Sequence, residues 1–260
     1  MIRVGIGGWS YEPWRGTFYP QGLKHADELK YAASKLTSIE INGTFYRTQS
    51  AASFAKWRDE TPEGFVFAVK GHRAVVNKKV LAESGEALDW FLKSGVTELG
   101  PKLGPLLWQF APYKKFDPDD FGAFLALLPK EAAGLKLRHV VEVRSPTFLV
   151  PEFVALLRKH HVAVVCAHSD DYPAIADVAA DFVYARLQKS QEAIATGYDA
   201  ADLDAWAARA ETWAAGGEVD DMPRFGAKPA ARKKRDVFVY MIAGDKVRAP
   251  AAAQALIARL

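Results

Sequence analysis

Glu40, Lys70, Glu142, Arg144 and Arg186 each interrupt or end a short apolar run, as in Ser38-Ile39-Glu40-Ile41, Phe67-Ala68-Val69-Lys70, Val140-Val141-Glu142-Val143-Arg144 and Tyr184-Ala185-Arg186-Leu187. A charge set inside apolar sequence is costly unless it is paired or used. Gathered in one place, these three cations and two carboxylates would leave a positive site. Arginine is suited to grip carboxylate or phosphate there through two parallel hydrogen bonds. The chemistry such a set allows is acid–base work on an anionic small molecule, phosphorylated, carboxylated or nucleotide-like. Glu40 or Glu142 would be the general base, Lys70 the acid or electrostatic stabiliser, and the arginines the clamps. The opposing reading is a charge network that only ties strands together.

Further polar and aromatic residues cluster beside the same runs. Trp9, Ser10 and Tyr11 follow Gly7-Gly8, where paired glycines let a backbone approach a ligand. Asn42, Thr44 and Tyr46 follow Glu40, and His72 and Arg73 follow Lys70. Gln109 ends another run, and Tyr240 stands near the end of the last one. All of these are expected to bind the ligand.

Positioning these residues together is the task of the elements around them. Short apolar or β-branched runs bounded by turn residues recur at Arg3 to Gly7, Ser38 to Ile41, Phe65 to Lys70, Leu106 to Phe110, His139 to Val143, Val162 to Ala167, Phe182 to Leu187 and Val237 to Ile242. Helical spacing lies between them. Asp117-Pro118 reads as an N-cap with proline at the first helical position, leading into Phe121, Phe124, Leu125 and Leu128. Asp199 opens a segment carrying Leu203, Trp206, Ala210 and Trp213 that Gly216-Gly217 would end, and Pro250 opens a last, alanine-rich helix. Strands too apolar for a solvent face, alternating with helices about eight times, predict a parallel sheet covered by helices. The count, and the lack of a glycine-rich dinucleotide fingerprint, favour a single (β/α)8 TIM-type barrel over residues 1–260, with room for irregularity. In that fold the loops after the strands build the active site, so the charges at strand ends become one constellation.

Composition excludes other classes. The chain has 260 residues, half of them hydrophobic and a quarter charged, an ordinary globular balance. No apolar stretch approaches a membrane span, and the first residues lack a signal-peptide pattern, so a cytoplasmic protein is expected. The one cysteine, Cys166, sits in an apolar run and reads as a small buried hydrophobe. The net charge of +3 invites a nucleic-acid reading, yet Arg232-Lys233-Lys234-Arg235 alone supplies four positive charges and precedes the last strand, on the face opposite the site. A nucleic-acid-binding barrel without catalysis is therefore the alternative, and an anionic small molecule the expected partner. A metal-dependent hydrolase or isomerase would draw on Glu40, Glu142, His168 and Asp170, but their spacing matches no metal motif; no cofactor is expected, with a divalent metal left open. Schiff-base chemistry through Lys70 is weaker still. Oligomeric state is not legible.

One resemblance is specific. Gly8-Trp9-Ser10-Tyr11 with Trp14, Gly16 and Phe18-Tyr19-Pro20, then Glu40-Ile41-Asn42 with Thr44-Phe45-Tyr46-Arg47, Phe67-Ala68-Val69-Lys70, Leu103-Gly104-Pro105-Leu106 and Glu142-Val143-Arg144 resemble the YecE-like family, domain of unknown function 72. The motifs run in order over most of the chain. The resemblance implies a TIM-type barrel with signature residues around its pocket, and no established reaction. The chain departs from the family pattern at three places. It has Ser145-Pro146-Thr147 where relatives show His-Ser/Pro-Trp, Arg186-Leu187-Gln188-Lys189 where they show Arg-Leu-His-Gly, and Ala243-Gly244-Asp245 where they show Asn-Asn-Asp. Two histidines are thereby missing, which points to a different ligand or a partly degenerate site.

Overall fold

The computed structural model describes residues 1–260. In chain order its strands are β1 (Ile2–Gly7), β2 (Ser38–Ile41), β3 (Val66–Lys70), β4 (Leu103–Gln109), β5 (Glu131–Ala132), β6 (Leu135–Lys136), β7 (His139–Glu142), β8 (Ala163–His168), β9 (Phe182–Leu187) and β10 (Asp236–Met241). Eight of them close in the order β1-β10-β9-β8-β7-β4-β3-β2, every pairing parallel. The two-residue strands β5 and β6 form a separate hairpin whose turn, Ala133-Gly134, has positive φ at both residues, as a tight right-twisting connection requires. The expected strands are all present, each end within three residues of its predicted place.

The outer layer holds α1 (Glu28–Lys35), α2 (Ala51–Asp59), α3 (Arg73–Val76), α4 (Gly85–Lys93), α5 (Pro118–Leu127), α6 (Pro151–His160), α7 (Ala200–Ala214) and α8 (Ala249–Ile257). Local chemistry explains their starts. The Asp117 side chain accepts from the amides of Asp119 and Asp120 ahead of α5, and Asp199 accepts from Asp202 ahead of α7. Along α7, Leu203, Trp206, Ala210 and Trp213 are buried at helical spacing.

The alternation expected from sequence fails at one point: no helix follows β8. Residues 169–181 run without one, and the long connection 216–235 covers that flank instead. Asp177 fastens the two, accepting from the amides of Phe225 at 2.7 Å and Gly226 at 2.9 Å, while the Ala176 amide donates to Pro223 at 2.9 Å. Cys166 faces this segment, its sulfur 3.7 Å from that of Met222.

Two apolar regions result. One fills the space between strands and helices; the other, with Val66, Ala68, Leu107, Val140, Val165, Tyr184, Phe238 and Tyr240, fills the barrel itself. Strand alternation then decides which side chains enter the mouth. Lys70, Gln109, Glu142 and Arg186 each follow a barrel-interior residue by two positions, so they form the layer above it. Strand β1 adds no bulk in the layer of Ser38 and Tyr240 beneath: a Cβ on Gly5 would lie 2.0 Å from the Ser38 carbonyl oxygen, so only glycine allows β1 and β2 to pair this closely.

Candidate functional site

The five charges that interrupt the apolar runs meet at the C-terminal end of the barrel. Arg186 is the hub. Its Nη2 donates to Oε1 of Glu40 at 3.0 Å and its Nε to Oε2 at 3.1 Å, a two-point grip, while Nη1 donates to Oε2 of Glu142. Arg186, Glu40 and Glu142 are all buried, at 2, 0 and 1% exposure. The Tyr184 hydroxyl adds a bond to Glu40 Oε2 at 2.6 Å from below. Two carboxylates are thus held around one guanidinium, with further donors satisfying the remaining lone pairs, which is what makes a buried charge cluster tolerable.

The outward side of the network carries the spare positive charge. Arg144 donates from Nε to Glu142 Oε1 at 2.8 Å, and its guanidinium lies 4.0 Å from the Tyr172 ring centroid. Gln109 links the halves, its amide nitrogen donating to Glu142 Oε2 at 2.9 Å and its carbonyl oxygen accepting from Lys70 Nζ at 2.6 Å. Lys70 forms no ion pair; its ammonium sits 4.2 Å over the Phe45 ring. Thr44 holds the adjoining loop by donating to the Lys70 carbonyl at 2.6 Å.

This arrangement splits the proton affinities. Burial pushes Lys70 down to about 8, and the Arg186 charge adds to the fall. For Glu142 burial pulls upward, but Arg186 and Arg144 outweigh it and hold the carboxyl at about 2. Tyr184 and Tyr240 are raised by burial and stay protonated. Within the network the proton affinity of Lys70 is therefore drawn toward neutrality, while Glu142 is held as the anion.

The other candidates are dispersed around this network. Tyr240 lies one layer beneath the mouth, fully buried, sharing a hydrogen bond of 2.7 Å with Ser38. Trp9 turns into the helix layer, its ring edge-on to Trp57 at 4.9 Å and tilted on Phe67 at 6.3 Å, with its carbonyl accepting from the Tyr19 hydroxyl. Ser10 is exposed, and Tyr11 packs edge-on to Trp14 with the Lys246 ammonium over its ring. Tyr46, His72 and Arg73 form an outer rim, and Asn42 is half-buried with its amide turned to the Glu40 carbonyl. Sequence reading did not single out Tyr184, Tyr172 or Ser38. Tyr184 was readable, being two residues before Arg186 on the same strand face; Tyr172 sits in the helix-free connection after β8 and carried no signal.

The four side chains weighed as metal ligands do not converge. Glu40 and Glu142 are engaged with Arg186, the His168 ring lies among Tyr198 and Trp206 of the outer layer, and Asp170 pairs with Lys189 at 2.6 Å. No group of three or more His, Cys, Asp or Glu side chains is placed to hold a metal ion.

The family model described as "Protein of unknown function DUF72" matches residues 3–260. The chain belongs to the DUF72 family. Curated relatives are similar over shorter stretches. One is the UPF0759 protein YunF of Bacillus subtilis, 29% identical over 118 residues, 44% of this chain and 41% of that protein. Another is the UPF0759 protein YecE of Escherichia coli K12, 27% identical over 151 residues, 57% of this chain and 50% of that protein. The chain thus spans half or less of the length of these relatives. Two DUF72 crystal structures share the fold throughout: that from Thermotoga maritima at TM-score 0.73, 22% identity and coverage of 99% and 97%, and one from Enterococcus faecalis at 0.72, 16%, and 100% and 94%. Two of the departures from the DUF72 pattern have local roles here: Ser145 caps the turn at Pro146–Phe148, and Gly244 has φ +83 and packs on Ser190. Gln188 has none, its buried amide nitrogen being left without a partner.

Proposed function

We propose that this DUF72 protein is an enzyme that binds an anionic small molecule at the barrel mouth, with Lys70 as the acid–base group. The observation that carries the reading is the unequal use of charge: Arg186 is consumed by Glu40 and Glu142, while Lys70 is in no ion pair and Arg144 meets Glu142 through Nε alone, its Nη1 turned to the neutral Tyr172 hydroxyl at 3.3 Å. An anion with a phosphate or carboxylate would meet both, and Gln109, already bonded to Lys70 and Glu142, would orient them. Lys70, with its pKa lowered toward neutrality, can donate a proton to a leaving or enolic oxygen and take one back, the task that Brønsted matching favours. The two glutamates then fix Arg186 and Gln109 rather than abstract protons. A cytoplasmic setting belongs to the same reading; no helix of the chain is long and apolar enough to cross a membrane.

A thermal-shift screen of inorganic phosphate, carboxylates, nucleotides and divalent metals tests it, run on the unaltered protein, Lys70→Ala and Arg144→Ala. An anion at a hundredfold its dissociation constant stabilises by about 2.7 kcal/mol, a shift of several degrees. The expected result is a shift in the unaltered protein that both variants lose. A screen flat for every anion, or a shift that survives both substitutions, rejects the reading.

A further inference from the structure

Away from the chain termini, the large hydrophobic side chains that stand exposed are Tyr46 at 68%, Val80 at 42%, Trp90 at 49% and Tyr113 at 71%. All four belong to the three consecutive connections that follow β2, β3 and β4. Single exposed hydrophobics scattered over a surface are ordinary, but their concentration in one sector marks a contact surface.

Side-chain contacts join the three connections. The His72 ring stands edge-on to Trp90 with centroids 5.0 Å apart, and its Nε2 lies 3.3 Å from the Tyr46 carbonyl oxygen. The Arg73 guanidinium lies 5.9 Å from the Tyr46 ring centroid, and Lys114 donates to the carbonyls of Lys78 and Lys79 at 3.2 and 2.9 Å. Exposed cations interleave with the rings: Arg47, Arg73, Lys78, Lys79 and Lys115, none of them in an ion pair. The acids of the sector are partly spent. Asp89 pairs with Lys93, Asp120 with Lys114, and Asp117 caps α5, leaving Glu83, Glu86 and Asp119.

We propose that this sector is a binding surface for single-stranded nucleic acid, with phosphates on the five cations and bases stacked on Tyr46, Trp90 and Tyr113. Flat exposed rings set among unpaired cations match a ligand that alternates charge with π-faces, and a duplex would hide those faces within its own stack. The run Arg232 to Arg235 plays no part: it precedes β10 at the other end of the barrel, and Arg235 is buried against the carbonyls of Gly217 and Ala231. The surface lies on the outer rim and adjoins the mouth network, since Phe45, whose ring backs Lys70, touches Tyr46 with centroids 5.1 Å apart.

Fluorescence anisotropy of a labelled oligothymidylate tests this, with heparin as a polyanion lacking bases. Each of Tyr46→Ala and Tyr113→Ala should weaken oligothymidylate binding roughly tenfold. Neither should change heparin binding. The double variant Lys78→Gln with Lys79→Gln should lower the slope of log affinity against log salt by about 0.7 for each phosphate that is no longer neutralised. Lys70→Met should leave oligothymidylate affinity unchanged, which separates this surface from the mouth. The altered side chains are exposed, so circular dichroism should show all rim variants folded. Absence of binding at low salt overturns the proposal. So does a loss on Lys70→Met that the rim variants do not share, or heparin and oligothymidylate responding alike to every ring removed.

Discussion

The two ends of this barrel hold comparable charge and use it in opposite ways. At the C-terminal mouth, Arg186 sits at 2% exposure between carboxylates at 0 and 1%. At the N-terminal end, Arg138 bonds Asp236 at 2.7 Å with 24 and 38% of the side chains exposed, and Asp236 also meets the chain's amino group. The ends differ in space as well. A cleft of about 440 Å³ opens at the N-terminal end among Lys130, Lys136, Arg138, Lys159, His160 and His161, whereas none of the main clefts is lined by Glu40, Lys70, Glu142 or Arg186. Room and chemistry have parted. The roomy end carries cations at the C-terminal turn of α6, where the helix dipole alone favours them. The mouth carries charges that no dipole or solvent accounts for, and those need either a structural or a functional reason.

The sharpest test of the contrast removes the central cation at each end. Arg186→Leu leaves two buried carboxylates facing one another and should cost about 3–5 kcal/mol in urea unfolding. Arg138→Gln breaks a half-exposed pair and should cost under about 1 kcal/mol. Equal losses would mean that the two ends are energetically alike, and the mouth would lose its claim to be special.

The charges at the mouth were largely legible in the sequence because their placement follows from strand alternation. Once Tyr184 is placed inside, Arg186 must be inside too, and the same step of two carries Ala68 to Lys70 and Val140 to Glu142. What alternation does not control was misjudged. Trp9 follows a glycine with φ +75, so the direction of its ring depends on Trp57, a residue 48 positions away in α2. The missing helix after β8 was equally hidden: residues 173–180, Pro-Ala-Ile-Ala-Asp-Val-Ala-Ala, carry helix-forming alanines, but Asp177 gives its carboxylate to the amides of Phe225 and Gly226 in a segment nearly fifty residues on. Local propensity yields to such tertiary bonds.

Acid sharpens the comparison next. The Glu142 carboxylate is favoured in the fold, so its contribution is complete above its unfolded value near 4.5 and is lost as pH falls toward its folded value of about 2. Stability should drop through that window by an amount on the order of 2–3 kcal/mol, and Glu142→Gln should flatten the curve there. An unchanged acid curve in the variant would show that Arg186 and Arg144 do not hold Glu142 ionised.

Lys70 gives a smaller and more local signal. Its folded pKa lies below the unfolded value, so the fold carries a penalty while the ammonium persists, and stability gained from Lys70 rises with pH between about 8 and 10.5. Pulsed acylation read by mass spectrometry should place the midpoint of its reactivity near pH 8. A midpoint at the ordinary lysine value of 10.5 would remove Lys70 as an acid–base group at neutral pH.

The smallest expected effect is at the roomy end, and it carries the most weight against a rival reading. If size chose the site, the cleft beside Lys159 and His160 would be where an anion binds. Lys159→Gln should change stability by less than about 0.5 kcal/mol, as surface substitutions do. It should also leave any anion-induced thermal shift intact, while Lys70→Ala abolishes it. A shift lost on Lys159→Gln and kept on Lys70→Ala would reverse the assignment of the two ends, because the charges at the mouth would then serve only to bind strands β2, β3, β4, β7 and β9 to one another.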